Sequence, residues 1–191
     1  LFEPTALPAD RQARLQALFA DVVTVAGGDD EDLLLFRSSE AVGPNAFALP
    51  AGTVVLTDEL VDLAENDDQI AAVLAHEMGH VVHRHAMRKL IQNSVAAGLI
   101  VAVTGDLGSA TNFAAGVPTV LLNAAYSRDF ELEADESAFL YLETRGIDPA
   151  ELGELLVRMD EAAGRNPGRA TLLDSHPASR ERLDAARRRV P

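Results

Sequence analysis

The pentapeptide His76-Glu77-Met78-Gly79-His80 constrains the fold more than any other stretch of this chain. Two histidines four residues apart reach the same side of the backbone on an α-helix, where positions i and i+4 lie one turn apart. In that arrangement they can grip one metal ion. Glu77 is rotated by about 100° from His76, close to such an ion but not bound to it. That is the place for a general base acting on an ion-activated water. The flanking residues support the helix. Asn66-Asp67-Asp68 is a start signal, and Ile70, Val73, Leu74, Val81 and Val82 recur at helical spacing. The periodicity predicts one long helix over 67–92 with both histidines in its middle.

Composition limits how a metal could be held. The chain has no cysteine, so the ligands must be histidine and carboxylate. Two imidazoles and an acid favour one Zn2+ per chain over other divalent ions. The net charge is −14, from 30 acidic against 16 basic residues, which excludes a nucleic-acid partner because that needs a basic patch. Arg187-Arg188-Arg189 reads as a solvated helix end, where cations are favoured. With 191 residues the whole chain is expected to form one domain with a real core.

The remaining pattern reads as a small α+β domain, mainly helical, with a β-hairpin beside the histidine helix. Leu15, Leu18, Phe19 and Val22 mark a helix over 8–25, and Leu33 to Phe36 a short strand. Asn45 to Leu49 and Thr53 to Leu56 flank a turn at Pro50-Ala51-Gly52. Thr57-Asp58 starts a short helix to about residue 64. Further helices are expected over 126–145, closed by Gly146, over about 149–163, and from Pro177 to Arg189. Residues 93–125 are rich in Ala, Gly and Val and read as a helical hairpin or cover. Their apolar run Val95 to Val103 is far short of the roughly 20 residues that span a bilayer.

A catalytic zinc wants three protein ligands, so a third must come from elsewhere in the chain. The acidic helix around Tyr126-Ser127-Arg128-Asp129-Phe130-Glu131-Leu132-Glu133-Ala134-Asp135 is the candidate source. On spacing alone Glu131, Glu133 and Asp135 all qualify. Glu131 and Asp135 share a helix face, so one could reach the ion while the other bonds the far nitrogen of a ligand histidine. His83 and His85 read as ordinary surface or core histidines and are placed outside the site.

His-Glu-Met-Gly-His followed by Glu131-Leu132-Glu133-Ala134-Asp135 resembles the gluzincin zinc metallopeptidases related to the CAAX prenyl protease, the HtpX-like heat-shock proteases and the Oma-type and BepA-type proteases. In that family H-E-x-x-H is followed by E-x-x-A-D. The resemblance implies Glu131 as the third metal ligand and Asp135 as its supporting partner. Ser127-Arg128 also fits the pattern. Asn45-Ala46-Phe47-Ala48-Leu49-Pro50 resembles the family's edge strand, where an extended substrate pairs, which makes Asn45, Ala46 and Phe47 substrate-binding candidates. Ser175-His176-Pro177, with Arg182 six residues after His176, resembles a late His-Pro motif. It implies His176 as oxyanion support or as a latent metal ligand, and Arg182 as added support.

The implied activity is zinc-dependent hydrolysis of peptide bonds in extended or misfolded proteins, as in protein quality control. The polypeptide is then the partner. The alternatives are a latent enzyme and a non-cleaving zinc-bearing chaperone or binding module, and the intact Glu77 argues against the latter. The chain begins at Leu1 without an initiator methionine or leader pattern and is expected to be part of a longer protein. Membrane association is expected through preceding sequence or through residues 93–125. The bacterial cell envelope is the favoured location.

Overall fold

The computed structural model describes residues 2–92, 94, 126–164 and 179–189. A two-residue strand β1 (Glu3–Pro4) precedes helix α1 (Ala9–Ala26), strands β2 (Leu33–Ser38), β3 (Ala46–Leu49) and β4 (Thr53–Thr57), and helix α2 (Asp58–Leu63). Then come α3 (Asp67–Val82), α4 (Arg128–Arg145), α5 (Ala150–Gly164) and α6 (Ser179–Arg187). The expected α+β class is borne out: helices pack on a small mixed sheet of order β1-β2-β4-β3. The expected cover over 93–125 and the expected helix start at Pro177 lie outside the described residues. Among the described residues no helix is long and apolar enough to cross a membrane.

The hairpin forms as its turn chemistry dictates. β3 and β4 pair antiparallel from Ala46↔Leu56 to Leu49↔Thr53, and Ala51 and Gly52 both take positive φ in the turn, 75° and 83°. β4 then pairs parallel with β2, Leu33↔Thr53 through Arg37↔Thr57, so β3 is left as the outer strand. The sequence pattern does not reveal β1, which is two residues long, contains a proline and lies on the opposite edge. Thr57 ties the hairpin to α2. Its hydroxyl accepts from the Leu60 amide at the start of α2 (3.3 Å) and from the Asn45 amide at the entry to β3 (2.8 Å).

Helix α3 runs through the middle of the core. Asn66 caps it, accepting the Gln69 amide at 2.9 Å. Every residue from Gln69 to His80 is buried, the burial expected of a helix packed on all sides. α1 contributes Leu15, Phe19 and Val22, the sheet Leu34, Val54 and Leu56, α4 Tyr141 and Leu142, and α5 Leu155 and Leu156 to the same cluster.

The expected single helix over 67–92 is interrupted. α3 ends at Val82, residues 83 and 84 form a turn, and helix resumes over 85–92. Arg84 has φ 54°, in the left-handed region. One such residue re-aims the chain without disturbing the apolar spacing on either side, so periodicity alone cannot reveal it.

Gly79 sets the distance between α3 and α4. A Cβ built there would lie 2.8 Å from the Ala134 Cα and 3.0 Å from the Ser137 Cβ. The nearest atom is backbone and has nowhere to go. In an open helix, Gly→Ala stabilises by roughly 0.5–1 kcal/mol. Here Gly79→Ala is expected to destabilise by about 1–3 kcal/mol, the usual cost of overpacking. Urea denaturation of the metal-free protein measures the sign, and a gain in stability would refute the close contact.

Candidate active site

Helix α3 presents His76 and His80 one turn apart, each 1% exposed, with Glu77 fully buried beside them. Across the Gly79 contact, α4 carries Glu131 in its first turn, where Ser127 caps the helix by accepting the Phe130 amide. The Nε2 atoms of the two histidines are 3.1 Å apart. Glu131 places one carboxylate oxygen 3.6 Å from His76 Nε2 and the other 3.5 Å from His80 Nε2. Two imidazoles and one carboxylate therefore face a common point, and they form the group among the described residues that could hold a metal ion.

The donors fit a zinc ion. Tetrahedral bonds of 2.0–2.1 Å space neighbouring ligand atoms about 3.4 Å apart; the two histidine nitrogens stand 3.1 Å apart, and each lies within 3.6 Å of one oxygen of the Glu131 carboxylate. The protonation state fits as well. Burial, reinforced by the charge of Arg182, pushes the His76 imidazole down to about 4, so the ring is neutral and offers a lone pair at ordinary pH. Three buried electron-pair donors facing one point are stabilised by a cation between them.

Asp135 lies one turn beyond Glu131 on α4 and meets His76 from behind, its Oδ1 3.0 Å from His76 Nδ1. Arg182 of α6 grips the same carboxylate, with Nε 2.9 Å from Oδ2 and Nη2 on Oδ1. Its Nη1 is 3.4 Å from Glu131 Oε2. Burial pushes the Asp135 carboxyl up, but the bond to His76 and the charge of Arg182 outweigh it and hold the group at about 2. The carboxylate stays charged and accepts a hydrogen bond from His76 Nδ1–H, which leaves the Nε2 lone pair facing the common point.

The outer strand β3 reaches the site through Glu77. The Ala48 amide donates to Glu77 Oε2 at 2.8 Å. The Thr57 amide bonds the Asn45 carbonyl, so by antiparallel alternation Ala46 and Ala48 turn their peptide groups to the outer edge. Asn45 is buried at the strand entry, and its Oδ1 has no hydrogen-bond partner among the described residues. Ala46 is fully buried, whereas Phe47 is half-buried with its ring 5.8 Å from that of Phe2. A cavity of about 380 Å3 opens between the end of β3 and His80, lined by Leu49, Pro50, Arg84 and Met87 among others.

Two residues near the histidines make contacts that spacing did not reveal. The Tyr126 ring stacks on His80 at 4.2 Å and 20°. Burial, with the charges of Glu77 and Glu131, pushes its hydroxyl above the usual range, so it stays protonated. His85, expected outside the site, is fully buried with Nδ1 2.8 Å from His80 Nδ1, and its Nε2 meets Glu133 at 2.9 Å. The left-handed Arg84 makes this contact possible. His83 does stay apart, bonded to Ser137 at 3.3 Å. Ser175, His176 and Pro177 lie outside the described residues.

A helix-borne histidine pair, an acid between them, a carboxylate from a second helix and a sheet edge against that acid are the parts of a metallopeptidase. The chain belongs to peptidase family M48, whose model matches residues 9–190. It is 29% identical over 140 residues to the mitochondrial metalloendopeptidase OMA1 of Schizosaccharomyces pombe, covering 73% of this chain and 42% of that protein. It is 32% identical over 151 residues to metalloprotease YcaL and 33% over 154 residues to metalloprotease LoiP, both of Escherichia coli, covering 76% of this chain and 58% of each relative. The chain thus spans about half the length of these curated relatives. The expected kinship with Oma-type peptidases is borne out.

The Arg182–Asp135 pair is buried on both sides. Removing one member strands the other charge, which costs about 3–5 kcal/mol. Arg182→Leu should lower the stability of the metal-free protein by that order in urea titration. Arg182→Lys should recover only part of it, since an ammonium lacks the fork that meets both oxygens. Wild-type stability in Arg182→Leu would show that the pair contributes nothing.

Proposed function

We propose that this chain is the catalytic part of a zinc-dependent endopeptidase that hydrolyses extended or misfolded polypeptides in protein quality control. The observation that carries the reading is the convergence of His76, His80 and Glu131 on one point, with Glu77 beside it and tied to a sheet edge. In this reading His76 Nε2, His80 Nε2 and a Glu131 oxygen hold the ion, and Asp135 with Arg182 orients His76. The two imidazoles suit zinc better than calcium or magnesium, which prefer all-oxygen sites.

When bound, zinc supplies Lewis acidity, which makes water acidic near neutral pH and polarises a carbonyl. Glu77 takes the proton of the attacking water on its carboxylate and delivers it to the leaving amine nitrogen. The Ala48 amide holds Glu77 Oε2 in place during both transfers. The substrate main chain lies extended beside β3, pairing with the outward peptide groups of Ala46 and with the Ala48 carbonyl. Asn45, whose main chain is tied to Thr57, anchors the entry to the strand along which the substrate lies. One substrate side chain enters the cavity beside His80. Only a flexible or unfolded stretch can adopt this extended pairing, which supports misfolded proteins as the substrate class.

Glu77→Gln is expected to keep stoichiometric zinc while cleavage of unfolded casein falls by about 10²–10⁴-fold, the usual contribution of a general base. Cleavage at the wild-type rate would remove Glu77 from that role. Glu131→Gln should weaken zinc binding in chelator competition far more than Glu133→Gln, whose amide oxygen can still accept from His85. Equal losses would overturn the choice of Glu131 as ligand.

A further inference from the structure

We infer that His85 is a positioning residue for His80, fixing the tautomer and ring direction with which His80 faces the metal. The inference rests on the reading that His80 Nε2 is a metal ligand. It comes from a chain of contacts with one self-consistent direction. His80 Nδ1 and His85 Nδ1 are 2.8 Å apart, so one of the two nitrogens must donate and the other accept. His80 Nε2 faces His76 Nε2 and Glu131, and a ligand nitrogen must present a lone pair there. Its ring proton therefore sits on Nδ1 and is given to His85.

His85 then accepts at Nδ1 and carries its own proton on Nε2. That atom points at Glu133 Oε2, 2.9 Å away, and an ionised carboxylate can only accept. Arg88 Nη1 meets the same oxygen at 2.6 Å. Reversing the His85 tautomer would aim a lone pair at a carboxylate and a proton at the His80 proton, so neither bond would survive. His85 is fully buried, so it cannot replace a lost bond with one to bulk water.

Both histidines of α3 are thus backed by a carboxylate and an arginine, but by different routes. His76 reaches Asp135 and Arg182 directly. His80 reaches Glu133 and Arg88 through an intervening imidazole. The chain is built for the longer route. On an unbroken helix His85 would stand about 140° around the axis from His80. The left-handed Arg84, φ 54°, re-aims the next segment and brings His85 back to it. The His85 ring also stacks on Phe130, 4.4 Å away at 7°, so a purely packing role is the competing explanation.

Two substitutions separate these roles in the full chain. His85→Phe keeps an aromatic ring for the stack and removes both hydrogen bonds. His85→Asn gives up the stack and places an amide oxygen where Nδ1 accepted. Zinc affinity by chelator competition is the readout, with circular dichroism to confirm folding. Loss of an outer partner of this kind typically costs 10–100-fold in metal affinity. We expect that loss in His85→Phe and a return to within about threefold of wild type in His85→Asn. In 15N-correlated NMR of the zinc-loaded protein, the hydrogen-bonded Nδ1–H signal of His80 should be present in wild type and His85→Asn and lost or shifted in His85→Phe. Wild-type affinity in His85→Phe, or an equal loss in both variants, overturns the positioning role; if His85→Phe fails to fold, absence of the hydrogen-bonded His80 Nδ1–H signal in wild type, or its loss in His85→Asn, overturns it. His80→Ala tests the underlying reading separately. If it binds zinc as wild type does, the ligand assignment fails; if it loses zinc while His85→Phe does not, the assignment stands and the positioning role falls.

Discussion

The closeness of α3 and α4 at Gly79 is the constraint on which the site depends. A glycine hydrogen at this position faces backbone, and even one added carbon would push the helices apart. The contact lies between His76 and His80 along one helix and beside Glu131 and Asp135 on the other. Donor separations of 3.1–3.6 Å leave little room for a shift between the two helices. Gly79 therefore sets the spacing of the functional groups by setting the spacing of the backbones. Its lower helix propensity is the cost of that contact.

Burying this many ionisable groups is costly unless each has a partner. The fold supplies those partners in two branches that begin at the histidine pair. One runs from His76 to Asp135 and Arg182, and the other from His80 through His85 to Glu133 and Arg88. Each branch ends in a carboxylate-arginine pair. The second ends nearer solvent, where Glu133 and Arg88 are half-exposed. The rings of Phe130 and Tyr126 fill the space around this branch, with stacked contacts on His85 and His80 respectively. These packed rings restrict imidazole rotation, and the hydrogen bonds choose which nitrogen faces inward.

The sheet takes part through its unpaired edge. Parallel pairing of β2 with β4 pushes β3 to the outside, and Thr57 anchors both the start of β3 and the start of α2. The Ala48 amide that would otherwise serve an added strand is given to Glu77. The acid and the edge are therefore held in register by one hydrogen bond. A chain laid along that edge meets the acid at a defined height.

Much of this protein is legible in its sequence because the relevant signals are local. The caps at Asn66 and Gly146, the hairpin turn at Pro50 to Gly52 and the i, i+4 histidines are set by neighbouring residues, and the structure reproduces them. Resemblance was needed to choose Glu131 from three acids, because helix spacing says which residues share a face but not what that face meets. The roles of His85, Tyr126 and Gly79 were not legible. His85 reaches His80 only because one residue, Arg84, adopts a left-handed conformation that no periodicity records. The sequence by itself determined the donor types available, the helix that carries the two histidines and the strand beside it, since these depend on short-range geometry. The tertiary structure decided which carboxylate faces the histidines and what holds each imidazole in place, because those contacts join residues brought together only when α4, α6 and the segment after α3 pack against one another.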